Sequence, residues 1–176
     1  MNNGSDDTTV ILAIKRGDGE RFKELIYKYK DRVFAVVLAR WGDRLFSEEV
    51  THDAFVTAYL QLHTFRGESS FLTWVTRIAL NRASRVYGGR KSFENIPIPD
   101  GPLTPVEEGE RRQLQERFRE CFEKLPERLQ EVLSLIALGG FSYEEAHGVI
   151  GVPVGTIRSR LHQARLQMKV CMKDVL

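Results

Sequence analysis

The residues of this chain best equipped for chemistry are basic, and they are spaced like one face of a helix. Arg158, His162, Arg165 and Lys169 stand at i, i+4, i+7 and i+11. Ile157, Leu161, Ala164 and Met168 repeat that spacing one residue earlier, so one side is apolar and the other cationic. Such a row of cations binds phosphate oxygens, and an arginine fork can also take the two acceptors of a guanine edge. A second set shares one side of an earlier helix: Thr73, Trp74, Arg77, Asn81, Ser84 and Arg85, opposite Phe71, Val75, Ile78 and Ala79. Guanidinium groups for phosphate, an indole for stacking and an amide for a base edge suit a single nucleic-acid strand. A third face mixes Glu49, His52, Asp53, Val56 and Leu60. Aliphatics among carboxylates suit a protein partner. Each set also has a plainer reading: a solvated basic face, a core tryptophan at Trp74, and a solvated acidic face.

Catalytic chemistry is not among these patterns. The chain has no glycine-rich phosphate loop, no nucleophile elbow and no carboxylate pair flanked by a base, so no enzyme is expected. Cys121 and Cys171 lie far apart in helical patterns, and both are expected to be reduced and non-catalytic. Four scattered histidines and no C-x-x-C pair give no reason to expect zinc, another metal or a cofactor.

The elements that must position these residues are all helical. Ser142 followed by Glu145 is a capping box that starts a helix, with Phe141 and Ala146 as a weak staple. Gly151 ends that helix in a tight turn, and Pro153 is tolerated in the first turn of the next, from about Val154. Two helices joined so closely, the second one basic, make a helix-turn-helix or an ordinary helical hairpin. Upstream, residues 1–9 read as a frayed tail, followed by a short helix over Val10 to Arg16. A long amphipathic helix carries Phe22, Leu25, Ile26, Tyr29, Val33, Val36 and Val37 and ends at Gly42-Asp43. Ser47 is the expected cap of the next helix. Phe65 to Ser69 is a loop, and Ser69 or Ser70 caps the helix that ends at Gly88-Gly89. Residues 90–103 hold three of the six prolines and no helical period, and read as an extended linker. Thr104-Pro105 starts a helix bearing Leu114, Phe118, Cys121, Phe122 and Leu125. Pro126 starts another, with Leu129, Val132, Leu133 and Ile136 inside. No stretch alternates like a strand, so the expected fold is all-α: two small helical domains, 10–89 and 104–176, on a flexible tether.

The 176 residues are 42% hydrophobic and 28% charged, enough for compact cores and unlike a membrane or fibrous chain. Net charge is only +2, so any nucleic-acid footprint is local. No apolar run approaches a membrane span, and the polar start M-N-N-G-S-D-D-T-T lacks the pattern of a signal peptide. A cytoplasmic protein is expected.

Three blocks carry a resemblance. S-Y-E-E, G-V-P-V-G-T-I-R-S-R-L-H and Q-A-R resemble the promoter-reading segment of extracytoplasmic-function sigma factors, small bacterial members of the sigma-70 family. F-R-G-E-S-S-F-L-T-W-V-T-R-I-A-L-N is very close to that family's promoter-melting segment, and S-E-E-V-T-H-D-A-F is similar to its clamp-binding helix. His52 stands where the family commonly has Gln. Ala146-His147 stands where it has Ile-Ala, so His147 points outward or the helices cross more widely there.

The resemblance implies RNA polymerase core as a partner, through the β′ clamp and the β flap, with Glu49, His52, Asp53 and Val56 docking on the clamp. It implies promoter DNA as a second partner. Phe65, Arg66, Ser70, Trp74, Arg77, Asn81 and Arg85 would serve the −10 element. Pro153, Gly155, Thr156, Arg158, Ser159, Arg160, His162 and Gln163 would serve the −35 element. It also implies an anti-sigma factor, membrane-bound for many members, with no membrane insertion by the chain itself. The competing readings are a dimeric helix-turn-helix regulator that binds operators, and an adaptor that binds only proteins. The first needs a dimerisation seam that is not visible. The second leaves the arginines of the last helix without a role.

Overall fold

A computed structural model of the chain describes residues 4–86 and 105–173. Among them are eight α-helices and no strand, as the periodicity requires. The first half comprises α1 (Gly4–Lys15), α2 (Phe22–Trp41), α3 (Arg44–Leu60) and α4 (Phe71–Val86). The second comprises α5 (Pro105–Glu123), α6 (Glu127–Leu133), α7 (Tyr143–Ile150) and α8 (Val154–Cys171). A π-turn over Ser134–Leu138 prolongs α6. The expected linker at 90–103, with Gly88-Gly89 and Thr104 at its ends, lies outside the described residues.

Two boundaries differ from expectation. The frayed tail over 1–9 is already helical from Gly4. Asp7 is buried, accepts a hydrogen bond from the Tyr29 hydroxyl and pairs with Lys28 (2.5 Å), which ties α1 to α2. Burial, with the Asp7 carboxylate beside it, pushes the Tyr29 phenol well above its usual range. A polar run looks like a tail in sequence, because the residue that satisfies Asp7 is 22 positions away. The start of α3 also moves. Asp43, not Ser47, is its cap: its carboxylate accepts from the Phe46 N–H at 2.9 Å. Ser47 lies one turn inside the helix, fully buried, and donates to the Asp43 carbonyl.

The caps of α4 and α7 match the reading. The Ser70 hydroxyl accepts from the Thr73 N–H at 3.1 Å and starts α4. Ser142 and Glu145 form the reciprocal capping box of α7, at 3.1 and 2.9 Å. Gly151 closes α7 at φ 74, a conformation cheap only without a Cβ. Ile157, Leu161, Ala164 and Met168 of α8 are all buried, as their spacing predicts.

The cysteines correct the expectation of free thiols. Cys121 on α5 and Cys171 at the end of α8 form a disulfide, with Cα atoms 5.7 Å apart. The folded second half lays α5 along α8, and a separation of 50 residues conceals that proximity in the sequence.

The two halves do not stand apart. One contiguous core includes Val36 and Val37 of α2, Leu135 beyond α6 and Ala146 of α7. Arg32 of α2 donates to the carbonyls of Gly139 and Gly140, at 2.7 and 2.6 Å, and lies over the Phe141 ring. Arg40 pairs with Glu131 at 2.7 Å. The Arg40–Glu131 pair is partly exposed on both sides and contributes about 0–1 kcal/mol.

Candidate functional site

The exposed polar residues collect on three surfaces. The first is α3 and the groove it forms with α2. Glu49 and His52 are exposed, and Val56 is 44% exposed. Asp53 is held in an ion pair with Arg82 of α4, so its carboxylate braces two helices as well as facing outward. The groove, about 740 Å³, has an apolar floor of Phe22, Ile26, Phe34 and Phe55. Val56, Tyr59 and Leu60 line it too, the last 67% exposed. Tyr59 and the floor residues are missing from the expected site. Only the packing of α2 against α3 opens a channel between their aromatic rings.

The second surface is the loop after α3 together with α4. Phe65 is buried, its ring 6.1 Å from Phe71 and 5.1 Å from Trp74. Trp74 is half-buried on this aromatic cluster, so it packs with one edge and leaves another facing a cleft. The Lys15 ammonium holds the loop by donating to the Phe65 carbonyl at 2.6 Å. The expected −10 residues divide between two clefts. Phe65, Arg66, Ser70, Trp74 and Arg77 line one of about 660 Å³, whose far wall is Glu144, Glu145, His147 and Gly148 of α7. Asn81 and Arg85 line another, with Thr57, Gln61 and Arg82. Thr73, expected on the exposed side, is 1% exposed because α7 lies over it.

The third surface is the helix-turn-helix. His147 points outward, its Nδ1 2.8 Å from the Val152 carbonyl across the turn, while Ala146 fills the helix contact. Arg158, Ser159, His162 and Gln163 are exposed on α8. The Arg158 guanidinium rests over the Tyr143 ring, 5.2 Å from its centre. Pro153 and Gly155 are exposed at the start of α8, with open space around the Gly155 backbone. Gly155, Thr156, Ser159, Arg160 and Gln163 line a cleft of about 390 Å³ with Arg128 of α6. Amide N–H groups at a helix start, a hydroxyl and two guanidiniums suit a phosphate. Arg128 was missed because it lies 32 positions before Arg160 with no local pattern to link them.

Comparisons with known proteins follow this division. The Sigma-70 region 2 family matches residues 25–92, and the Sigma-70 region 4 family matches residues 115–168. The RNA polymerase sigma-H factor of Pseudomonas aeruginosa is 32% identical over 97% of this chain and 95% of its own. The ECF RNA polymerase sigma-E factor of Escherichia coli K12 is 33% identical over 94% and 93%. Two solved structures share the fold at 22% identity. CnrH, in complex with the cytosolic domain of CnrY, has a TM-score of 0.73 and covers 94% of this chain and 96% of that one. The sigma factor RpoE of Bartonella quintana, with the anti-sigma factor NepR, has a TM-score of 0.65 and covers 86% and 96%. No helix among the described residues is long and apolar enough to cross a membrane.

Proposed function

The chain belongs to the extracytoplasmic-function sigma factors of the sigma-70 family, and we propose that three surfaces divide the work of promoter-specific transcription initiation. The α3 face, with Glu49, His52, Asp53 and Val56, docks on the clamp of RNA polymerase core. Residues 10–89 form the region 2 domain, whose Arg66, Trp74, Arg77, Asn81 and Arg85 hold the separated strand of the −10 element. A flipped base there is read by its Watson–Crick edge. Residues 104–176 form the region 4 domain, joined through 90–103, and α8 enters the major groove of the −35 element. Arg158, Ser159, His162 and Gln163 face base edges, while Thr156, Arg160 and the amides near Gly155 hold phosphates.

The observation that carries this reading is the start of α8, where exposed polar side chains stand beside a cleft lined by Arg128 and Arg160. That arrangement separates contacts that position the helix from contacts that read sequence. No catalytic step is assigned to the chain itself: the polymerase makes the RNA. By analogy with the complexes of CnrH and of Bartonella RpoE, a cognate anti-sigma factor holds the protein inactive in the cytoplasm until a signal releases it.

Transcription in vitro with bacterial core enzyme and a genomic template library tests the reading. The expected result is a set of discrete start sites that appears only when the chain is added. A dimeric operator-binding regulator would instead protect DNA without starting any transcript.

A further inference from the structure

We propose that Lys15 of α1 is a positioning residue for strand capture: it fixes the Phe65–Arg66 peptide and so aims Arg66 into the cleft beside α4. The proposal rests on the assignment of that cleft to the −10 strand. Lys15 lies before residues 25–92, the stretch matched by the region 2 family, and it lines neither cleft of the second surface. Its ammonium nevertheless donates to the Phe65 carbonyl at 2.6 Å, across 50 positions of sequence. Phe65 is where the chain leaves helical geometry after α3. At φ −67 and ψ 114 it is extended, so its carbonyl is turned away from the next helical turn and takes its partner from another element. A peptide bond is planar, so whatever holds the Phe65 carbonyl also sets the plane from which the Arg66 backbone starts. Arg66 is exposed and lines the cleft with Ser70, Trp74 and Arg77.

Lys15 works from a rigid base. Val10, Ile11 and Ile14 bury one side of α1, and Asp7 ties its start to Tyr29 and Lys28 of α2. The Tyr29 ring lies 6.0 Å from Phe71, and Phe71 lies 6.1 Å from Phe65, so one aromatic row runs from the anchor of α1 to the loop. The far end of the loop is held separately, by the Ser70 hydroxyl on the Thr73 N–H. Between the two ends, Gly67 stands at φ 76 with open space around it. A loop pinned at both ends and open in the middle has less freedom to lose when a strand binds, and that saving appears as affinity.

The test is a mutant cycle between Lys15 and Arg66 in holoenzyme assembled from polymerase core and the full chain. Lys15→Met removes the donor and keeps the stem, and Lys15→Arg keeps a donor. Each is made alone, and Lys15→Met is also combined with Arg66→Ala. Arg66→Ala and Arg77→Ala are made singly. The probe is a labelled single-stranded 20-mer of mixed sequence, and anisotropy reads the affinity that each chain adds to core alone. Urea unfolding of the free chain and its affinity for core are measured on the same variants.

Lys15→Met is expected to weaken strand binding about fivefold, the size of one ordinary hydrogen bond. Because Lys15 is exposed, its urea midpoint and core affinity are expected to stay at wild-type values. Lys15→Arg is expected to restore most of the strand affinity. In the Arg66→Ala background Lys15→Met is expected to cost nothing further, since the two residues act as one unit. Wild-type strand binding by Lys15→Met would overturn the proposal. So would an equal loss with and without Arg66, which makes Lys15 act elsewhere, or a loss that follows a fall in the urea midpoint, which makes it a support of the fold. The single arginine variants separate this from the underlying reading. If Arg66→Ala and Arg77→Ala weaken strand binding and Lys15→Met does not, only the role of Lys15 fails. If both arginine variants bind the strand like wild type, the assignment of the cleft to DNA fails with it.

Discussion

Arg158 and Arg160 sit two positions apart on α8 and meet different surroundings. Arg160 is half-buried in the cleft with Arg128, Gly155 and Thr156, the cleft proposed above to hold a phosphate. Arg158 is exposed, and the Tyr143 ring beneath it narrows the directions its guanidinium can take. The two should therefore separate in a salt titration of binding to a library of −35 variants. Arg160→Ala is expected to weaken binding to every sequence about equally and to lower the salt slope by roughly one unit. Arg158→Ala is expected to cost about 1–3 kcal/mol on the preferred site and to relax specificity at one position. A uniform loss for Arg158→Ala would make it a phosphate contact and reverse the orientation of α8.

Helix α3 has two faces with different duties. Its inner face buries Val50, Ala54, Phe55 and Ala58. Its outer face leaves Val56 and Leu60 beside an apolar groove, flanked by Glu49 and His52. Asp53 is not equivalent to Glu49, because its ion pair with Arg82 links α3 to α4. Charge reversal at the two positions should differ accordingly. Glu49→Lys is expected to weaken binding to polymerase core while leaving the urea midpoint within about 0.5 kcal/mol of wild type, as for an exposed position. Asp53→Lys is expected to weaken core binding and also lower stability, by up to about 1 kcal/mol for a half-exposed pair. Pull-down with core enzyme and denaturant unfolding of the same samples check both. Wild-type core affinity for Glu49→Lys would remove this face from the docking surface.

The second half of the molecule is closed by a covalent link between α5 and the end of α8, beside the Arg117 bond to the Cys171 carbonyl. A link across 50 residues restricts the unfolded chain and is expected to contribute about 2–4 kcal/mol. A Cys121→Ser/Cys171→Ser double variant should unfold at lower denaturant than the oxidised wild type and match the reduced wild type, with no response to dithiothreitol. If oxidised and reduced wild type unfold together, the link stabilises nothing in solution.

Most helix positions, caps and buried stripes were legible in the sequence because they depend on neighbours within four residues; the Ser47 cap and the 1–9 tail were not. The Ser142–Glu145 box, the Gly151 turn and the buried row from Ile157 to Met168 are all of this kind. The family was legible too, since its motifs are contiguous runs of sequence, on one helix or on a helix and the loop or turn beside it. What only the tertiary structure decided involves partners tens of residues apart: Asp7 with Tyr29, Asp53 with Arg82, Cys121 with Cys171, and Arg128 beside Arg160. The largest such decision is the seating of α7 on α4. The exposed side of α4 is amphipathic enough for either water or a partner, and periodicity cannot distinguish them. Only the fit of Gly148 over Thr73, 75 positions away, identifies the partner as the chain's own helix.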